Sequence, residues 1–352
     1  MKPIYISGFP GREIQIDHQH FLYFGGTSYL GIQTLPEFQE LLIDEIRHYG
    51  SNYGASRNSN IRLNIYDKSE MHLSKWVGSE SCIVLSSGFL AGQLLARYFN
   101  RVDYKLFYTT PAHASLFSYE HVAFRDYHQL KKELQQHLDS EDRRTPVVFL
   151  DTIDFSNNTF PEFNALTNLP LESCILIADD SHGIGILGPY GSGAYSRLSE
   201  LLPKELLVCS SLAKSMGVQA GAVFGTSARL EALRETSLYA GASPPAPAYM
   251  GAMLKAAPLY ASQRSILIKL IEEFHQLLEY PAKFRSLHRY PVYESDDHEL
   301  TTYLRQEGIY ITDFDYTADI DSSQCRLVIT AGHKSEDISF IAEKINRYYR
   351  KM

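Results

Sequence analysis

The sequence predicts an α/β protein with a large, mostly parallel sheet and a smaller α+β domain. Short apolar runs punctuate the middle of the chain at 82–86, 105–108, 147–151, 174–179, 206–210 and 222–225. Stretches with helical spacing, such as 88–98 and 130–138, separate several of them. Near-continuous apolar strands alternating with helices indicate a sheet covered on both faces. From about Pro281 the texture changes, with shorter strands at 290–293, 308–311 and 325–330 ahead of a final amphipathic helix. These changes predict a large domain at 45–260 and a small domain built from 1–44 and 261–352.

The remaining elements follow from local signals. Residues 227–239 read as a helix. After the breaker Ser243-Pro244-Pro245-Ala246-Pro247 comes a long helical stretch to about Tyr280, with a kink or break expected at Pro258. The last helix is expected to start with Ser335 as N-cap, with Glu336 and Asp337 in its first turn and Ile338, Ile341 and Ile345 on one face.

Composition narrows the function. The 352 residues are 44% hydrophobic and 21% charged, enough to bury a large core. Thirty-three Lys and Arg against 41 Asp and Glu leave a net charge of -8, and no basic patch stands out. That disfavours nucleic acid as the main partner. Met1-Lys2-Pro3-Ile4-Tyr5 lacks the apolar run of a signal peptide, and no later stretch approaches a membrane span, so a cytoplasmic protein is expected. Cys82, Cys174, Cys209 and Cys325 lie far apart in or beside apolar runs. They read as buried thiols in a reducing compartment, and no metal site is expected. The 24 tyrosines read as broad aromatic packing.

Two motifs are set aside. Gly183-Ile184-Gly185-Ile186-Leu187-Gly188 matches a dinucleotide-binding pattern, which needs a helix opening at its end. Pro189, Gly191 and Gly193 follow instead and cannot start one. Ser211-Leu212-Ala213-Lys214 matches the S-x-x-K of serine acyl hydrolases, but the Lys-Thr-Gly strand of those enzymes is missing. Lys214 still falls just beyond the carboxyl end of a sheet strand, where open α/β sheets bind ligands.

The 174–179 strand ends in Asp179, Asp180, Ser181 and His182. Alone, Asp179 is structural or metal-binding about as often as catalytic. With Lys214 at another strand end, the pair matches what a pyridoxal phosphate enzyme requires, an amine to anchor the cofactor and a carboxylate for its pyridine nitrogen. Ser86, Ser87, Gly88 and Phe89 join a strand to a helix, whose amino terminus suits a phosphate. His113 follows the 105–108 strand and could lay a flat ring on a flat cofactor.

With these residues in view, the chain resembles the α-oxoamine synthases among fold-type-I pyridoxal phosphate enzymes, most closely the 8-amino-7-oxononanoate synthase branch. The resemblance runs from about Tyr29 to the end. It rests on Ser28-Tyr29-Leu30-Gly31, Trp76-Val77-Gly78, Ser87-Gly88-Phe89 with Ala91 and Gln93, and Ala112-His113-Ala114-Ser115-Leu116. Asp179-Asp180-Ser181-His182-Gly183, Lys214 and the segment from Arg326 to His333 complete the ordered set. It implies that Lys214 holds pyridoxal 5'-phosphate and shuttles the Cα proton. It gives Asp179 the ring nitrogen, His182 the ring hydroxyl and His113 the ring face. Gly88, Phe89, Ser87 and Ser211 would bind the phosphate; Arg326, with Ser28, would bind the amino-acid substrate.

The implied reaction condenses a small amino acid, L-alanine first, with an acyl-CoA, pimeloyl first, with decarboxylation to an α-amino ketone. The implied assembly is a homodimer with shared sites. Thr27 and Ser28 replace the asparagine usual before Tyr-Leu-Gly, and the 150–158 loop departs from the family's Met-Asp-Gly pattern. Ala240-Gly241-Ala242 lacks the hydroxyls that reach the neighbour's phosphate. Competing readings are an aminotransferase, which needs a 2-oxo acid and no CoA, another α-oxoamine synthase such as glycine C-acetyltransferase, and a serine hydrolase on Ser211 and Lys214.

Overall fold

The computed structural model describes residues 4–110, 112–117, 123–124, 126–155, 160, 162–314 and 324–351. The chain forms two compact units, one spanning residues 36–257 and the other combining the segments that end at Leu35 and begin at Pro258. A hairpin comes first, β1 (Glu13–Ile16) and β2 (Gln19–Phe24), turning at Asp17 and His18, both at positive φ. Alternation along these strands buries Ile14, Ile16 and Phe21 together.

The larger unit begins with α1 (Pro36–Tyr49), α2 (Asn64–Val77), β3 (Ser81–Leu85), α3 (Gly88–Phe99), β4 (Tyr104–Thr109) and β5 (Ala123–Phe124). It continues with α4 (Tyr127–Leu138), β6 (Thr145–Asp151), β7 (Ile175–Asp179), α5 (Tyr195–Ser199), β8 (Glu205–Ser211) and β9 (Gly221–Gly225). The helices α6 (Ser227–Arg234), α7 (Ser237–Gly241) and α8 (Pro247–Lys255) close it. Its seven strands lie in the order β3-β9-β8-β7-β6-β4-β5. Strands β5, β4, β6, β7 and β8 run parallel, whereas β9 is antiparallel to β8 and β3. Val147 to Leu150, Ile175 to Ala178 and Leu207 to Cys209 are all buried. Burial on both faces leaves no position for a polar side chain until the strand ends, which explains the unbroken apolar runs.

The smaller unit adds α9 (Ala257–Leu277), β10 (Arg285–Ser286), β11 (Val292–Ser295), α10 (His298–Gln306), β12 (Ile309–Phe314), β13 (Gln324–Val328) and α11 (Ser335–Arg350). Its sheet runs β1-β2-β12-β13-β11-β10, with β2 and β12 parallel and the other pairs antiparallel. No helix among the described residues is long and apolar enough to cross a membrane.

Three expectations need correction. The single helix over 227–239 is two, because Thr236 ends the first and its hydroxyl accepts from the Tyr239 N–H to cap the second. The break expected at Pro258 is present: α8 ends at Lys255 and α9 starts at Ala257, which puts Pro258 in the first turn of α9, where its missing N–H costs nothing. Helix α11 is capped at Lys334 and not at Ser335; the Asp337 carboxylate accepts the Lys334 N–H at 2.8 Å. A boundary at 45 would cut α1, yet buried Glu45 is ion-paired with Lys255 of α8. A Cβ at Gly251 would come within 1.9 Å of Glu45 Oε2, so α1 and α8 pack at closest approach and share a unit.

Candidate active site

The parallel register places Asp151, Asp179 and Cys209 side by side on β6, β7 and β8. The two carboxylates therefore end neighbouring strands at one level. Beyond them a small cavity is lined by His113, Asp151, Ile153, Asp179, His182 and Lys214. Four of these six are residues the sequence singled out, drawn from three separate stretches of chain.

Lys214 Nζ stands 2.8 Å from His182 Nε2. Asp179, buried, accepts the Ser181 N–H on Oδ1 at 2.9 Å and the Ser115 hydroxyl on Oδ2 at 3.2 Å. His113 caps the short turn Ala114–Leu116: the Ser115 N–H donates to its Nδ1 at 3.2 Å. Burial pushes the His113 imidazole below its ordinary range; Asp179 opposes that shift and Lys214 adds to it. Asp151 accepts the His113 N–H at 3.1 Å. Burial, and then the neighbouring Asp179, hold the Asp151 carboxyl well above the usual carboxylate range.

Asp180 points away from the cavity. Its Oδ1 accepts from Thr152 Oγ1 at 2.6 Å and its Oδ2 from the Ala194 N–H at 2.9 Å, and burial pushes it up to about 7. A Cβ at Gly183 or Gly193 would come within 2.1 Å of an Asp180 oxygen. The glycines of the apparent dinucleotide motif thus serve this buried carboxylate and a turn in which Gly185 and Gly188 take positive φ. Only a single 3-10 turn, Pro189–Gly191, follows, with Tyr190 at positive φ inside it.

At the other edge of the site, α3 starts at Gly88, with Ser87 as N-cap accepting from the Leu90 N–H at 3.1 Å. Ser87 therefore orders the helix end. The N–H groups of Gly88 and Phe89 have no partner among the described residues. A Cβ at Gly88 would lie 2.5 Å from Ser211 Cβ, and one at Gly221 would lie 2.1 Å from the Ser87 carbonyl. This tight backbone brings Ser211 beside the helix amino terminus. Ser211 Oγ accepts from the Ala213 N–H at 3.4 Å, and its own N–H donates to Ser181 Oγ at 2.8 Å. The S-x-x-K pair is thus folded into a turn, with the lysine directed to His182.

Arg326 and Ser28 belong to the smaller unit. Arg326, on β13, donates from Nε to Glu294 Oε1 at 2.7 Å, and Glu294 on β11 is 3% exposed. The Ser28 carbonyl accepts from the Gly31 N–H at 2.9 Å, in a turn where Gly31 has φ +60°. Of the 150–158 loop, residues 156–158 lie outside the described ones.

Sequence reasoning missed Asp151, Ser115 and Ile153. Asp151 carried a usable signal, since it ends an apolar strand just as Asp179 does. Ser115 carried none beyond its place in a recognised segment. A separate cleft of about 620 Å³ is lined by Arg57, Glu70, Cys82, Arg234 and Tyr239 among others and shares no residue with this cavity.

A lysine amine against an imidazole, a buried carboxylate, and unpartnered N–H groups at a helix start are the donor set a phosphorylated pyridine aldehyde requires. The fold and the site define a fold-type-I pyridoxal phosphate enzyme. The chain belongs to the aminotransferase class I and II family, whose model matches residues 27–345. It is 25% identical to the 8-amino-7-oxononanoate synthase of Enterobacter sp. (strain 638), over 97% of this chain and 92% of that protein. It is 26% identical to the serine palmitoyltransferase of Sphingobacterium spiritivorum, over 96% and 89%. The structure of Sphingomonas wittichii serine palmitoyltransferase superposes with a TM-score of 0.80 at 19% identity, covering 97% of this chain and 90% of that one.

Proposed function

We propose that this protein joins a small amino acid to an acyl-CoA thioester with loss of carbon dioxide, forming an α-amino ketone. The observation that supports it most is the convergence of Lys214, His182, Asp179 and His113 on one cavity. The two kinds of relative, an 8-amino-7-oxononanoate synthase and a serine palmitoyltransferase, favour acyl transfer over amino transfer.

Bound pyridoxal phosphate supplies the electron sink for charge left at the substrate Cα. In this reading Lys214 anchors the cofactor and moves the proton at Cα. Asp179 keeps the ring nitrogen protonated, which stabilises the charge developing in the transition state. His182 meets the ring hydroxyl and His113 covers the ring. The N–H groups of Gly88 and Phe89, with Ser211, hold the phosphate, and Ser87 keeps that helix end ordered. Arg326 and Ser28 bind the amino acid; their roles come from the resemblance alone.

Overall, a bond forms between Cα and the acyl carbon, the C–S bond breaks and the thiolate takes a proton. The carboxyl group leaves as carbon dioxide and Cα is reprotonated. L-Alanine with pimeloyl-CoA is the leading pair, in a cytoplasmic homodimer whose interface includes the segment 239–247. Serine with a long-chain acyl-CoA is the second reading, favoured by the likeness to serine palmitoyltransferase. Alanine, glycine and serine, each offered with acetyl-, pimeloyl- and palmitoyl-CoA, should yield free thiol and carbon dioxide together for one pair. Amino transfer to a 2-oxo acid with no thiol release would replace this reading.

A further inference from the structure

Ser115 is almost fully buried, at 1% exposure, yet its hydroxyl has two polar neighbours. It lies 3.2 Å from Asp179 Oδ2 and 2.9 Å from His113 Nδ1. A hydroxyl has one proton and cannot donate to both. The Ser115 N–H donates to Nδ1, so that nitrogen is an acceptor and the neutral ring carries its proton on Nε2. The hydroxyl proton is then left for the carboxylate, the stronger acceptor.

The turn that presents Ser115 is tightly built. Gln93 Nε2 donates to the Ser115 carbonyl at 3.0 Å and to the Phe117 carbonyl at 2.8 Å. A Cβ at Gly92 would come within 2.6 Å of the Ser115 side chain, so α3 presses directly on it. Rotation or displacement of the hydroxyl is confined.

We propose that Ser115 is a positioning residue that links His113 to Asp179, its N–H donating to Nδ1 and its hydroxyl to Oδ2, and that its hydroxyl couples the two groups when Nδ1 takes a proton. Protonation of Nδ1 would end its bond from the Ser115 N–H and let the imidazolium donate to Ser115 Oγ, while Oγ–H still donates to Asp179. A proton arriving on His113 is thereby felt at Asp179 through a directed chain. The charged and titratable groups facing His113 are Asp151, Asp179, His182 and Lys214. Of these only Asp179 is bridged to it through Ser115. The inference goes beyond the proposed acyl transfer and is tested without it.

The test is the apoprotein, with ¹⁵N-labelled histidine followed by NMR over pH. Wild type should show His113 as the Nε2–H tautomer at neutral pH; an Nδ1–H tautomer would overturn the proposal with no variant needed. Asp179→Asn should lower the His113 midpoint, because the carboxylate favours the imidazolium. In a Ser115→Ala background that effect should shrink to half or less, and Ser115→Thr should restore it. Equal effects of Asp179→Asn with and without the hydroxyl would mean the coupling acts through space only. Because neither cofactor nor substrate is present, a failed thiol-release assay leaves this result unaffected.

Discussion

Lys214 Nζ and His182 Nε2 face each other at 2.8 Å across the cavity that ends β7 and β8. The amine, the imidazole and the Asp179 carboxylate line the same small cavity.

Lys214→Ala should abolish covalent retention of the cofactor. Borohydride reduction of wild type should fix the cofactor to the peptide containing Lys214, and the variant should show no fixed cofactor. Turnover should fall by at least about 100- to 10,000-fold, the range for loss of a positioned proton-transfer group. A reducible adduct elsewhere in the variant would remove Lys214 from its role.

For Asp179→Asn the expected result is a folded protein that still takes up cofactor but exchanges the substrate Cα proton about 100- to 1,000-fold more slowly, the loss typical of one electrostatic donor or acceptor. Exchange in deuterium oxide, followed by NMR on alanine, isolates this step from acyl transfer. An unchanged rate would make the carboxylate a structural cap for Ser181.

Asp180 bears on stability. Its folded value, about 7, lies above that of an unfolded aspartate. Its contribution to folding is therefore fully present below about pH 4 and is lost as pH rises through about 7. Urea unfolding should show Asp180→Asn flattening the decline of stability between pH 4 and 7 relative to wild type. An identical slope in the two proteins would show that Asp180 ionises freely in the fold.

Arg326→Lys should weaken amino-acid binding by about tenfold or more with cofactor content unchanged. The lysine keeps the charge but not the planar fork that can hold Glu294 and a substrate carboxylate together. Spectral titration with alanine or serine measures it. Unaltered affinity would reduce the arginine to its ion pair with Glu294 on the neighbouring strand.

The 239–247 segment is the proposed contact between two copies. Light scattering should give about twice the 40.0 kDa chain mass, and Ser243→Glu, at an exposed position of the segment, should shift the equilibrium toward monomer. An active monomer would end the shared-site idea.

The sheet of the larger unit was legible because β6, β7 and β8 are buried on both faces and read as unbroken apolar runs. The residues that end those runs were legible for the same reason: Asp179 interrupts an apolar strand with charge, and Lys214 follows another. Ser115 and Glu294 were not, because each is defined by a neighbour distant in sequence, whereas Asp151 ends β6 as Asp179 ends β7 and was legible but passed over. Ser115 meets Asp179 across 64 residues. The break at Thr236 is a local cap within a pattern that otherwise continues, and periodicity alone cannot see it.

Strand β2 pairs with β12 through Leu22 and Ile309, residues at opposite ends of the chain. During synthesis the hairpin β1–β2 leaves the ribosome long before its parallel neighbour exists. At roughly 5–20 residues per second, the wait is on the order of 15–60 s. Once residue 257 has emerged the 36–257 unit has its own complete sheet and can close, while the β2 edge stays unpaired. An unpaired edge invites pairing with other chains. Translation speed over the last hundred or so codons thus bears directly on the yield of soluble protein, and a ribosome stalled before Ile309 would release a chain with a finished cofactor unit and an open strand.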